Sequence, residues 1–169
     1  FLISLLVAPE RGVLASALRQ ARLRLNIASQ HVLRAAYECI ERGHAAPEMP
    51  VALAALRSLR AWPRPWLALV LRTLRWRGLI EARPGGFVLT PAGRADALRI
   101  TRNHRLWEQF LIAHADLAPS HVDHSADLVE HVLSPEMVAE LERQLGALGR
   151  LPRRLGLPPS AHPLASGAG

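Results

Sequence analysis

The chain has 169 residues, 50% hydrophobic and 21% charged, which suits one or two small domains with a buried core and excludes a disordered tail as the default reading. All 21 basic residues are arginine, the formal net charge is +7, and a single cysteine, Cys39, excludes a disulfide framework and a cysteine-based zinc finger. What remains open is an anionic partner, nucleic acid or a phospholipid surface, and any metal held by N and O ligands. The charge is unevenly placed: residues 1–105 carry 17 arginines against six acids, whereas 106–142 carry eight acids and no arginine.

The first stretch, "FLISLLVAP", is too short for a span of about 20 residues. It leads into Arg11, Arg19, Arg22 and Arg24, the pattern of a last membrane helix emerging on the cytoplasmic side. An ordinary amphipathic helix at a domain edge fits the same residues. From Asn26 to Arg42 the apolar positions Ile27, Val32, Leu33, Ala36, Tyr37 and Ile40 recur near a 3.6 period and Gly43 stops the pattern, so a helix is expected, with Cys39 in its core face. Residues 51–61 predict a second helix, and the turn "WPRP" leads into a third, "WLALVLRTLRWRGL", with proline suited to its head. Two helices across a four-residue turn make a helix-turn-helix candidate.

"LIEARPGGFVLT" alternates around Gly85 and Gly86 and predicts a two-stranded wing. A long helix follows from Thr90 as N-cap and Pro91 at its first position. Further helices are expected over 121–133 and 135–147, the latter opened by Ser134 and Pro135, and the Pro/Gly-rich tail is expected to be extended or disordered. The fold class is therefore mainly α, a winged helix-turn-helix followed by an all-α domain. The boundaries are 1–25 for a membrane-helix end and basic connector, 26–97 for the winged helix, 98–149 for the helical domain and 150–169 for the tail.

Chemistry gathers in "HVDHSADLVEH", residues 121–131. On a helix, Asp127, Glu130 and His131 stand at i, i+3 and i+4 and share a face, with Asp123 and His124 one turn earlier. On the preceding helix His104 and Glu108 are also at i, i+4. Two such helices build a five- or six-coordinate N/O site suited to Mn²⁺ or Fe²⁺ and acceptable to Zn²⁺, while a solvated helix face is the plainer explanation of the same spacing. No H-E-x-x-H pair, nucleophile elbow or Gly-rich phosphate loop is present, so no enzyme is expected.

Together, "AAYECIERG", "RGLIEARPGGFVLTPAGRADA", "RNHRLWEQFL", "ADLVEHVLSPE" and the tail element "PSAHPL" resemble the diphtheria-toxin-repressor and MntR group of metal-dependent regulators, from about Ile27 to Leu164. That resemblance implies a metal-binding and dimerisation domain behind the wing, with a homodimer formed by the C-terminal helices. It places a primary regulatory site on His31, Asp127, Glu130 and His131, and an ancillary one on His104, Glu108 and Asp123, with His124 beside it as a substitute. The chain departs from the pattern at His31, where relatives have methionine or aspartate, and at Arg34, where manganese regulators have a second carboxylate. His44, His114 and His121 are expected to be surface histidines.

In the group the third helix reads bases in the major groove through small polar residues near its start. Here those positions hold Pro63, Trp66, Ala68 and Leu69, none of which offers the bidentate contacts that Arg, Asn or Gln make in base readout. A helix so apolar is expected to pack against protein. Arg64, Trp66, Arg72 and Arg75 are the candidate nucleic-acid residues, with Arg77 a further phosphate contact. The beginning, "SLLVAPERGVLASALRQARLRLNIASQHVLRAAYE", is similar to the end of permease subunits of manganese, zinc and iron ABC importers, some of which continue into such a domain. The leading expectation is accordingly a metal-sensing, dimerising domain on the cytoplasmic face of the inner membrane, with ABC permease and ATPase subunits as partners. The alternative is a metal-dependent transcriptional repressor of metal-uptake genes.

Overall fold

The computed structural model describes residues 13–43, 49–114 and 134–147. The helix expected from Asn26 starts earlier: α1 runs Val13–Arg42, because "VLASALRQARLRLN" contains no proline or glycine to interrupt it. Its second half buries Ala28, Val32, Leu33, Ala35 and Ala36, whereas Leu14, Leu18 and Leu23 in the first half are exposed. Among the described residues no helix is long and apolar enough to cross a membrane. Phe1–Pro9, and with it the membrane-helix expectation, lies outside them.

The expected helix over 51–61 is shorter and is preceded by a strand. β1, Val51–Ala52, pairs antiparallel with Phe87 and Gly86, and only then does α2, Leu53–Leu59, begin. The expected two-stranded wing is thus a three-stranded sheet in the order β1-β3-β2, in which β2 is Ile80–Arg83 and β3 is Gly86–Leu89. Gly86 permits the extra strand: a Cβ there would lie 2.1 Å from the carbonyl oxygen of Val51. Gly85 supplies the positive φ of 81° that turns β2 into β3.

Between them α3, Arg64–Trp76, has proline in its first turn as expected and buries Leu67, Val70 and Leu74. α4, Pro91–His114, is the long helix. Its cap is the one the sequence calls for: Thr90 Oγ1 accepts from the Gly93 amide at 3.0 Å and donates to the Gly78 carbonyl at 2.7 Å. α5, Pro135–Ala147, is likewise capped, the Met137 amide donating to Ser134 Oγ at 3.3 Å. It buries Leu141 and Leu145 and is tied to α4 by Arg102–Glu142. The architecture is mainly helical, a winged helix followed by a C-terminal helical part.

Cys39 is half-buried against the winged-helix core. Burial pushes its thiol up, reinforced by Glu38 and opposed by Arg42. Since the thiolate is the nucleophile, alkylation by iodoacetamide at pH 7 is expected to be at least about tenfold slower in the folded chain than in urea. Equal rates in the two states would show an accessible thiol.

Candidate metal centre

The α1–α4 junction brings the chemistry together. α4 continues its buried stripe from Ala97 and Ile100 into polar residues: Thr101, His104, Arg105 and Glu108 are all buried. Buried polar side chains must be partnered, and these are. His104 Nε2 lies 3.2 Å from Glu108 Oε1, one helical turn away, with the two residues 3% and 2% exposed. On the other side of the ring, Arg34 Nη1 of α1 donates to His104 Nδ1. Arg34 is itself buried and its Nε lies 3.6 Å from Glu38 Oε1. Arg105 forks onto Glu41, with Nη1 to Oε1 at 3.1 Å and a second bond from Nη2. Burial pushes the Glu38 carboxyl up even though the guanidinium groups of Arg34, Arg42 and Arg105 pull it down.

Of the residues expected to hold metal, His104 and Glu108 thus meet. His31 stands on α1 one turn before Arg34, and Arg60 Nη1 donates to its Nδ1 at 3.3 Å. There it lines a groove of ≈ 780 Å³ with Arg24, Ile27, Trp62 and Trp66. Asp123, His124, Asp127, Glu130 and His131 lie outside the described residues, as do His44 and His121. His114 is exposed, as expected of it, and stacks on Phe110 with ring centroids 4.3 Å apart. Among the described residues no group of three or more metal-ligating side chains forms.

The donor types of the described pair fit a divalent ion, and so does its spacing. Two neighbouring ligands at ~2.1 Å from one ion lie roughly 3 Å apart, close to the 3.2 Å between His104 Nε2 and Glu108 Oε1. Arg34 and Arg105 are the residues that sequence reasoning undervalues. Their signal in the sequence is an arginine set among apolar neighbours, as in "HVLRAAYE".

The α3 surface is less apolar than its sequence implies, because Leu67, Val70 and Leu74 face inward. The outward side presents Arg64, Ala68, Arg72, Arg75 and Trp76, the last 87% exposed. Trp66, a nucleic-acid candidate from its sequence position, is half-buried against the core on the groove side. Trp76 is the exposed indole.

Residues 90–158 match the family model described as iron dependent repressor, metal binding and dimerisation domain. A probable metal transport system membrane protein of Chlamydia trachomatis is 36% identical over 69 residues, 41% of this chain and 15% of that protein. The manganese transport system membrane protein MntC of Bacillus subtilis is 28% identical over 156 residues, 91% of this chain and 34% of that one. The chain thus spans about a third or less of these relatives. Among solved structures, the manganese regulator SloR superposes with a TM-score of 0.62 at 21% identity, over 80% of this chain and 61% of that one. A manganese-dependent transcriptional repressor in complex with manganese superposes with a TM-score of 0.60 at 25% identity, over 70% of this chain and 52% of that one. Residues 90–158 of this chain thus match a metal-binding and dimerisation domain of iron-dependent repressors, and its described residues share the fold of the manganese regulators.

Proposed function

We propose that this chain is part of a metal-dependent regulator that works as a homodimer in which divalent-metal occupancy sets the geometry of two α3 helices on duplex DNA. The observation that carries it is the buried His104–Glu108 pair on α4, the helix shared by the winged helix and the matched metal-binding domain. His31, Asp127, Glu130 and His131 form the primary site, and His104, Glu108 and Asp123, with His124 beside it, the ancillary one. A bound Mn²⁺ or Fe²⁺, or Zn²⁺, supplies a charge that these N and O donors share. α1 carries His31 and also packs on α3 and α4, so its position relative to 121–133 is transmitted to the DNA-facing helix. Arg64, Arg72 and Arg75 on the outward face of α3 contact phosphates, which positions the protein without reading sequence.

A second reading has its own observation. The curated relatives are metal transport membrane proteins, one of them matching over 91% of this chain, and α3 presents no Asn, Gln, Ser or Asp outward. In that reading the same domain reports metal occupancy to the permease and ATPase subunits of an importer at the cytoplasmic face of a membrane. One experiment separates the two. Fluorescence anisotropy of a labelled duplex pool with the full chain and Mn²⁺ is expected to show salt-dependent binding. Its log–log salt slope should fall by roughly 0.9 for each phosphate that Arg72→Ala or Arg75→Ala no longer neutralises. Glu130→Ala with His131→Ala is expected to abolish the Mn²⁺ enhancement. Absence of duplex binding at low salt would sink the DNA reading and leave the transport one.

A further inference from the structure

We propose that Arg34 is a built-in cation at the α1–α4 junction, one that occupies His104 and must be displaced before His104 and Glu108 can share a metal ion. The inference rests on the reading of those two residues as ligands and concerns what stands in their way.

The physical basis is a count of donors and acceptors. A guanidinium has five N–H donors and no acceptor, and it keeps its charge inside proteins. Its contact with His104 Nδ1 therefore requires a lone pair on Nδ1. The ring proton must then sit on Nε2, where it is donated to Glu108 Oε1 at 3.2 Å. Both ring nitrogens are engaged in that tautomer. A histidine that ligates metal uses a bare nitrogen and normally donates the other N–H to a carboxylate, a carbonyl or water. For a metal on Nε2 beside Glu108, the proton must move to Nδ1, and there it would point at the N–H groups of Arg34. Two donors face to face do not bond. Metal on His104 and Arg34 on His104 are mutually exclusive.

Position gives this exclusion its consequence. Arg34 is only 8% exposed, between the buried Leu33 and Ala35 of α1, and it reaches both His104 on α4 and Glu38 one turn along α1. Without metal, one fixed positive charge already bridges the two helices. The ion must exceed what Arg34 contributes there, so the half-site on α4 loads only at a higher metal concentration than its own donors would set. Glu108 is the second arm of the exchange, since its carboxylate accepts from His104 in one state and ligates in the other.

The test uses the full chain, Mn²⁺ or Zn²⁺ alone as the probe, and readouts independent of DNA. In calorimetry Arg34→Met is expected to bind Mn²⁺ at least about tenfold more tightly than the parent at the Glu108-dependent site. Its Tm in EDTA is expected to fall below the parent's and to be restored by Mn²⁺. Loss of Mn²⁺ binding in Glu108→Gln with no gain in Arg34→Met would overturn the inference alone. Unchanged Mn²⁺ binding in Glu108→Gln would remove the ligand reading and this inference with it. A measurement that needs no variant is ¹⁵N NMR of the His104 ring. The metal-free parent is expected to carry its proton on Nε2 and to move it to Nδ1 with saturating Zn²⁺; an Nδ1 proton in the metal-free chain would refute the displacement.

Discussion

Replacing Gly93 by alanine is expected to destabilise the chain by about 3 kcal/mol and to lower Tm by about 6–12 °C. The third residue of α4 lies against the turn that ends α3. A Cβ there would stand 1.8 Å from the carbonyl oxygen of Leu79 and 2.8 Å from its carbonyl carbon. Both are backbone atoms, so no rotamer change relieves the contact, and α4 must move away from Leu79. That movement strains three bonds at once: the Thr90 amide to the Leu79 carbonyl at 3.1 Å, the Gly93 amide to Thr90 Oγ1, and Thr90 Oγ1 to the Gly78 carbonyl. Urea unfolding measures the loss. A Gly93→Ala chain as stable as the parent would show that this junction yields freely.

The second large effect belongs to Arg105. Its side chain is 6% exposed and is held in a fork by Glu41. Removing one member of a buried pair leaves the other charge uncompensated, typically a loss of about 3–5 kcal/mol, while replacing both with apolar residues is often close to neutral. Glu41 keeps partial contact with solvent, 29% of its side chain being exposed. Arg105→Met is therefore expected to fall at the lower end, about 3 kcal/mol, with Glu41→Met in the same background recovering at least about half. A double-mutant cycle in urea reads the coupling. Additive single effects would mean that the fork contributes nothing to the docking of α1 on α4.

These two junctions separate what is legible in the chain from what is not. The caps of α4 and α5 follow from Thr90–Pro91 and Ser134–Pro135, because capping is chemistry within one turn of chain. The start of α1 is harder to place, because arginines at 19, 22 and 24 read as a connector although nothing among them breaks a helix. β1 escapes for another reason. Two residues carry no periodicity, and Val51 and Ala52 become a strand only through Phe87 and Gly86, far along the chain. The same distinction holds at the candidate centre. His104 and Glu108 are visible from their i, i+4 spacing, whereas Arg34 and Arg105 gain meaning only when the stripes of α1 and α4 are docked. Sequence marks donors along one helix; it does not say which cation a neighbouring helix will bring.

α1 has a mechanical consequence of its own. Thirty residues at about 1.5 Å each make a rod about 45 Å long, with neither glycine nor proline inside it to act as a joint. Its second half is clamped by the core, while its first half, with Leu14, Leu18 and Leu23 exposed, extends as a lever. A small tilt where Arg34 meets His104 is magnified along the arm: swinging by about 5° displaces a point roughly 30 Å away by about 2.6 Å, with the rod stiffness that an unbroken helix provides. Force applied to the arm would travel the other way, prying at the very contact that decides whether His104 is free for metal.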